Sequence, residues 1–241
     1  TQRDRFTQER RPSVDLLFVV DNSGSMADEQ AALAANFDSF MRYANQQQVD
    51  FQIGITTTDV DSTGAKGRLI PLAPTTRPRL LTPNTPNVES EFATTVNVGT
   101  NGSGDEKGLE GAFLALKSPG LPDSPLASGG NGGFLRPVAL LSVIVVSDEE
   151  DSSPQSAAFY TNFLRNLKGA NRANLVNLSV VCDLTSCERY SAVATTTGGI
   201  ISDVKTQNWA ADLERLGAVA FGYKTRFFLT AMAFGRACRG W

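Results

Sequence analysis

The chain has 241 residues, 41% of them apolar, enough for one well-filled core and short for two. Its formal net charge of −3 gives no reason to expect nucleic acid or an anionic membrane as partner. It contains no histidine, which removes His-based acid–base catalysis, His-activated nucleophiles and His-ligated zinc together.

In chain order, Val14 to Val20 is an apolar run that ends directly in Asp21-Asn22-Ser23-Gly24-Ser25. A helix is expected from Ala27, with Leu33, Phe37, Phe40, Met41 and Ala44 as one buried stripe and Asp28 and Glu29 in its first turn. Phe51 to Ile55 alternates and runs into Thr56-Thr57-Thr58, a second strand. Gly67 to Leu72 is expected as a short edge strand, because Pro71 could not serve in a central one. Ala73 to Val98 is rich in Pro, Thr and Asn and reads as a long surface loop. Leu109, Ala112, Phe113 and Leu116 mark a helix, and Ser118 to Pro137 reads as a further Gly/Pro/Ser loop. Val138 to Ser147 is the most continuous apolar run, expected as a central strand covered on both faces. A helix with the stripe Phe159, Phe163 and Leu167 follows, then strands over Leu175 to Val181 and Gly199 to Val204. The last helix carries Trp209, Leu213, Leu216 and Ala220. This alternation predicts an α/β fold with a parallel sheet, and no run approaches the ~18 apolar residues of a membrane span.

The strand–turn–helix junction at Asp21, Ser23 and Ser25 presents one carboxylate and two hydroxyls. These are hard oxygen donors, suited to a divalent cation such as Mg²⁺, Mn²⁺ or Ca²⁺. Gly24 is expected to let the turn close tightly. Ser and Asp also cap helices, but capping needs one such residue where three alternate here. Asp148, directly behind Val143 to Ser147, is placed by the same logic at the carboxyl end of a strand, where ligands of doubly wound sheets bind. Glu149, Glu150 and Asp151 would raise cation attraction or cap a helix starting near Pro154. Asp59-Val60-Asp61-Ser62-Thr63-Gly64 faintly suggests half a calcium loop, although turn chemistry explains it better.

Together these motifs resemble the metal-ion-dependent adhesion site (MIDAS) of the von Willebrand factor type A domain, over about Val14 to Gly222. The resemblance implies a doubly wound, Rossmann-like, mostly parallel sheet with helices on both faces. It also implies binding of a protein partner that supplies an acidic residue to the cation's last coordination position. In that family Asp-x-Ser-x-Ser, a distant Thr and a distant Asp converge on the cation. The loop that should carry the Thr reads Gly99 to Leu109 here and leaves Ser103, Asp105 and Glu106 as candidates for the remaining ligand. Longer strings such as Gly133-Phe134-Leu135-Arg136-Pro137 resemble exported or lipid-anchored bacterial members, which implies a periplasmic, cell-surface or extracellular location. Thr1 to Arg5 does not look like a signal peptide, so a signal would lie outside this sequence or have been matured away.

The expected organisation is an N-terminal extension over residues 1–13, the domain over 14–222, and a tail over 223–241 that restarts an extended pattern at Lys224. Cys182 and Cys187 close a loop that a disulfide can span; two reduced thiols are the alternative, and Cys238 is left over. The leading expectation is a non-enzymatic adhesion module. A Mg²⁺-dependent phosphoryl-transfer enzyme would need a second aspartate beside Asp21 or a phosphate-cradling Lys, neither of which is present. A module with a vestigial or purely structural ion is the third reading.

Overall fold

A computed structural model describes residues 12–61, 64–73, 75–117 and 131–222. Five strands, β1 (Ser13–Val20), β2 (Asp50–Thr57), β3 (Leu140–Ser147), β4 (Val176–Cys182) and β5 (Ile201–Asp203), form one sheet in the order β2-β1-β3-β4-β5. Every neighbouring pair is parallel. The cause lies in the strand sequences: β1, β3 and β4 are apolar and β-branched on both faces, so both faces must be covered. β3 is buried at every position.

Helices α1 (Ala27–Ala35), α2 (Phe37–Gln47), α3 (Val88–Val96) and α7 (Trp209–Phe221) cover one face, and α4 (Gly108–Leu116), α5 (Ala157–Leu167) and α6 (Glu188–Thr197) cover the other. On the first face Phe18 of β1 meets Phe40 and Phe92 edge-on, at centroid distances of 5.4 and 5.2 Å. Phe92 also stacks on Phe37 at 3.7 Å. On the second face Leu109, Val145, Tyr160 and Tyr190 are buried together. The doubly wound α/β expectation therefore holds.

Several local expectations do not. The single helix expected from Ala27 is two, broken at Asn36, whose backbone (φ −111°, ψ 16°) leaves the helical region. Asn36 bonds back through its side chain to the Ala32 carbonyl, the kind of local competition that ends a helix. Gly67 to Leu72 is no strand: Leu81 instead makes the antiparallel bridge to Ile53, and the Ile70–Pro71 bond is cis. The supposed loop from Ala73 to Val98 contains α3, whose Val88, Phe92 and Val96 stand four apart on one face. In α5 the buried centre is Tyr160, Thr161 and Leu164, while Phe159 is 41% exposed; the apolar stripe lies one position beyond the expected one. Val138 is 67% exposed, and the third strand begins only at Leu140.

Asp15 interrupts the apolar run of β1 and is nonetheless fully buried. The Arg136 backbone N and Nε donate to its carboxylate at 2.8 and 2.6 Å, and Lys168 Nζ lies 3.6 Å away. Burial holds the Asp15 carboxyl above its ordinary value even so, and burial pushes the Lys168 ammonium below its own.

Cys182 and Cys187 form a disulfide with Cα atoms 6.1 Å apart, joining the end of β4 to the residue that precedes α6. Cys238, the tail over 223–241, residues 1–11 of the N-terminal extension, the loop residues 118–130 and Ser62-Thr63 of the faint calcium motif lie outside the described residues.

Two outcomes follow from this packing. Phe92→Ala, which removes a ring in contact with both Phe18 and Phe37, should cost about 3–5 kcal/mol. Urea unfolding at constant slope measures it; a loss under about 0.5 kcal/mol, the size typical of a surface site, would refute the packing. Intact mass after alkylation without reductant should show two of the three cysteines protected.

Candidate metal centre

The chain turns from β2 back past β1 to β3, so the carboxyl ends of β1 and β3 open into a crevice at the topological switch point. The Asp21 amide donates to the Val146 carbonyl at 2.9 Å, which prolongs the β1–β3 ladder to the edge of that crevice. Asp21 is fully buried. Its Oδ1 accepts from the Ser23 amide and its Oδ2 from the Ser147 hydroxyl, each at 2.7 Å. Ser23 is buried and its Oγ lies 3.3 Å from Ser25 Oγ, so the two hydroxyls converge as the alternating pattern predicted. Gly24 has open space around its Cβ position and no positive φ, so the turn does not require glycine there, contrary to expectation.

Of the three candidates in the Gly99–Leu109 loop, the fold brings one to Asp21. Glu106 is 1% exposed and accepts a short hydrogen bond from Thr58 Oγ1 at the end of β2. Asp105 is exposed at the rim and pairs with Lys107 at 2.7 Å, and that ammonium holds its carboxyl below the usual range. Ser103 uses its Oγ to accept from the Asp105 amide at 3.1 Å within the turn. Helix α4 determines this outcome. A Cβ on Gly111 would lie 2.9 Å from the Thr57 carbonyl, and one on Gly108 would lie 2.6 Å from Tyr190 Oη. The close approach of the helix places Glu106, two residues before its start, inward.

Burial and the neighbouring Asp21 push the Glu106 carboxyl up to about 8. Burial likewise raises Asp21, offset in part by the Ser147 and Ser23 bonds. Burial and the charges of Asp148, Asp21 and Asp105 raise Glu149 as well. Glu106 Oε1, Asp148 Oδ1 and Asn22 Oδ1 are buried without a hydrogen-bond partner. The nearby cations are committed elsewhere: Lys107 to Asp61 and Asp105, Arg189 to Asp151. Orphaned carboxylate oxygens beside two hydroxyls form a hard-oxygen donor set with unmet charge, which fits a divalent cation. Among the described residues no three His, Cys, Asp or Glu side chains gather in ligating geometry, so the set depends on its hydroxyls.

Glu150 and Asp151 cap helices, but not the one after Pro154. Glu150 accepts from the Glu188 and Arg189 amides at the start of α6. Asp151 Oδ1 accepts from the Leu109 amide of α4 at 3.1 Å, and Ser153 Oγ from the Glu110 amide at 2.9 Å. Helix α5 is capped by Ser156 instead.

Sequence reading assigned no role to Thr58, Ser147 or Gln30. Gln30 Nε2 ties the Asp21 carbonyl to that of Gly99, at 2.8 and 2.9 Å. A hydroxyl at each strand end, Thr58 and Ser147, was the available signal.

No protein-family model matches the chain, and no curated protein does. Solved structures do. Proximal thread matrix protein 1 from the mussel byssus, in its second crystal form, superposes with a TM-score of 0.53 at 10% identity, over 89% of this chain and 49% of that one. Another structure of it gives 0.50 at 11% identity, over 88% and 48%. One with a zinc-occupied MIDAS motif gives 0.50 at 14% identity, over 88% and 46%. The chain thus spans about half the length of these proteins. At such identity the likeness establishes the fold alone, a doubly wound α/β domain like the one in these proteins.

The carboxylates make the cation-free protein pH-sensitive, with a sign that can be worked out. Glu106 keeps a proton up to about 8, whereas its ordinary value is 4.5. Between these values the folded state binds more protons than the unfolded one, so stability should fall as pH rises from 5 to 8 in EDTA. Cation binding must expel that proton, so affinity should rise over the same window. Melting curves and calorimetry in buffers of different ionisation enthalpy read both effects; a flat stability profile would contradict the burial of Glu106.

Proposed function

We propose that this chain is a metal-ion-dependent protein-binding module of the adhesion type. Asp21, Ser23, Ser25 and Glu106 would hold a divalent cation (Mg²⁺, Mn²⁺ or Ca²⁺), with Asp148 and Ser147 beside it. When bound, the cation supplies a positive centre to which a carboxylate of a partner protein can attach. The observation that carries the reading is a contrast along β1. Asp15 is buried with Arg136 and Lys168 as its cations, and Asp21 is buried with none among the described residues. An isolated buried carboxylate is costly, so the missing charge points to an external cation.

The protein's own groups prepare the site. Ser147 and the Ser23 amide orient the Asp21 carboxylate, Thr58 orients Glu106, and Ser25, exposed at the mouth, faces the solvent from which a partner arrives. The reading is non-catalytic: the cation serves as an attachment point, and the chain contains no histidine for acid–base work. It also places the module outside the reducing cytoplasm. The Cys182–Cys187 bridge and the resemblance to exported bacterial proteins support this, and among the described residues no helix is long and apolar enough to cross a membrane.

A second reading, a purely structural ion, is favoured by one feature. Glu106 adds a second buried carboxylate where the resembled family has a hydroxyl, which strengthens cation retention and weakens attraction for a partner's acid. Calorimetric titration with MnCl₂ and water-proton relaxation of the bound Mn²⁺ separate the readings. Wild-type protein should bind one Mn²⁺ that keeps an exchangeable water, and Asp21→Ala should bind none while staying folded. Bound Mn²⁺ without exchangeable water would favour the structural ion; equal binding by Asp21→Ala would end both.

A further inference from the structure

We propose that Arg189 is a positioning residue for this centre: from α6 it fixes the loop that holds Glu106 in place. The inference rests on Glu106 as a cation ligand. Among the described residues Arg189 makes no hydrogen bond to Asp21, Ser23, Ser25 or Glu106; its effect runs through the segment after β3. Its Nε donates to Asp151 Oδ2 at 2.9 Å, and one Nη donates to the Ser153 and Gln155 carbonyls at 2.8 and 2.5 Å. That segment in turn holds the start of α4. The Ser152 amide donates to the Glu106 carbonyl at 2.6 Å, and Asp151 and Ser153 accept the Leu109 and Glu110 amides. The Gly108 amide, next in line, donates to Tyr190 Oη, also on α6, at 3.2 Å.

Three successive free amides of the α4 first turn are thus satisfied by residues distant in sequence. The backbone of Glu106 has no position independent of them. The charge of Arg189 is essential to this arrangement because the Asp151 side chain is fully buried and Arg189 is its ion-pair partner. Without the guanidinium, Asp151 must take up a proton or turn toward water, and the Leu109 amide loses a charged acceptor. Arg189 is itself anchored, since Glu150 accepts the first amides of α6 and the Cys182–Cys187 bridge fixes the residue before it. A planar fork that reaches one carboxylate and two carbonyls is a task for arginine that lysine performs only in part.

The test is calorimetric titration of the full chain with MnCl₂, paired with thermal melting in EDTA. Arg189→Met should lower Mn²⁺ affinity by roughly 10–100-fold, the range for residues that orient metal ligands without touching the metal. Arg189→Lys should recover part of that loss. Ser153→Ala, a smaller change that removes the Glu110 cap and the hydroxyl's bond to Asp151 Oδ1, should lower affinity to a lesser degree and serves if Arg189→Met does not fold. A purely structural role predicts lower melting temperatures with unchanged affinity, and that result would overturn the proposal while leaving the metal centre standing. Absence of Mn²⁺ binding by the wild-type protein would overturn the metal reading and this one with it.

Discussion

Everything at the carboxyl edge of this sheet is arranged around carboxylates that burial has deprived of water and for which the described residues supply no cation. Asp21 of β1 is the shared neighbour: its charge bears on Glu106 of the α4 loop, and the charge of Asp148, behind β3, bears on it. Such a cluster survives folding only because each oxygen that can be satisfied is satisfied. Two hydroxyls and an amide serve Asp21 and Glu106, and a proton on the pair lessens the repulsion that remains. Among the oxygens left without a partner are Glu106 Oε1 and Asp148 Oδ1.

The opposite pole of β1 shows the alternative solution. Asp15 is as deeply buried as Asp21, yet the Arg136 guanidinium reaches it, Asp50 and the Val14 carbonyl at once, with Lys168 behind. The chain can therefore neutralise a buried aspartate where rigidity alone is needed. At the carboxyl edge its cations are held back at the rim, Lys107 between Asp61 and Asp105, and Lys205 on Asp183. These exposed pairs contribute little to stability. They leave the centre negative and open to a cation from solution.

The site is assembled from parts that depend on one another over long sequence distances. Helix α4 can approach β2 only because Gly111 lacks a side chain and can approach α6 and β3 only because Gly108 does, and its free amides are received by Tyr190, Asp151 and Ser153. Those acceptors sit on α6 and on the segment after β3, and Arg189 ties the two together. The ligand position of Glu106 is thus a property of both helices and the sheet.

The sequence by itself determined the fold class and the first half of the site. Continuous β-branched apolar runs such as Val143 to Val146 suit covered parallel strands, and Asp21, Ser23 and Ser25 are near neighbours whose convergence follows from one turn. It misplaced features that tertiary contacts decide. Which α5 positions face inward depends on the surfaces they meet, and helix α3 was hidden in a Pro- and Thr-rich stretch for the same reason; the break at Asn36, by contrast, is a local bond that periodicity overlooks. Among Ser103, Asp105 and Glu106, composition could not choose, because all three carry oxygen donors within one short loop. Only the tertiary structure chose Glu106, because the close approach of α4 turns that one side chain into the crevice and leaves Asp105 in water with Lys107.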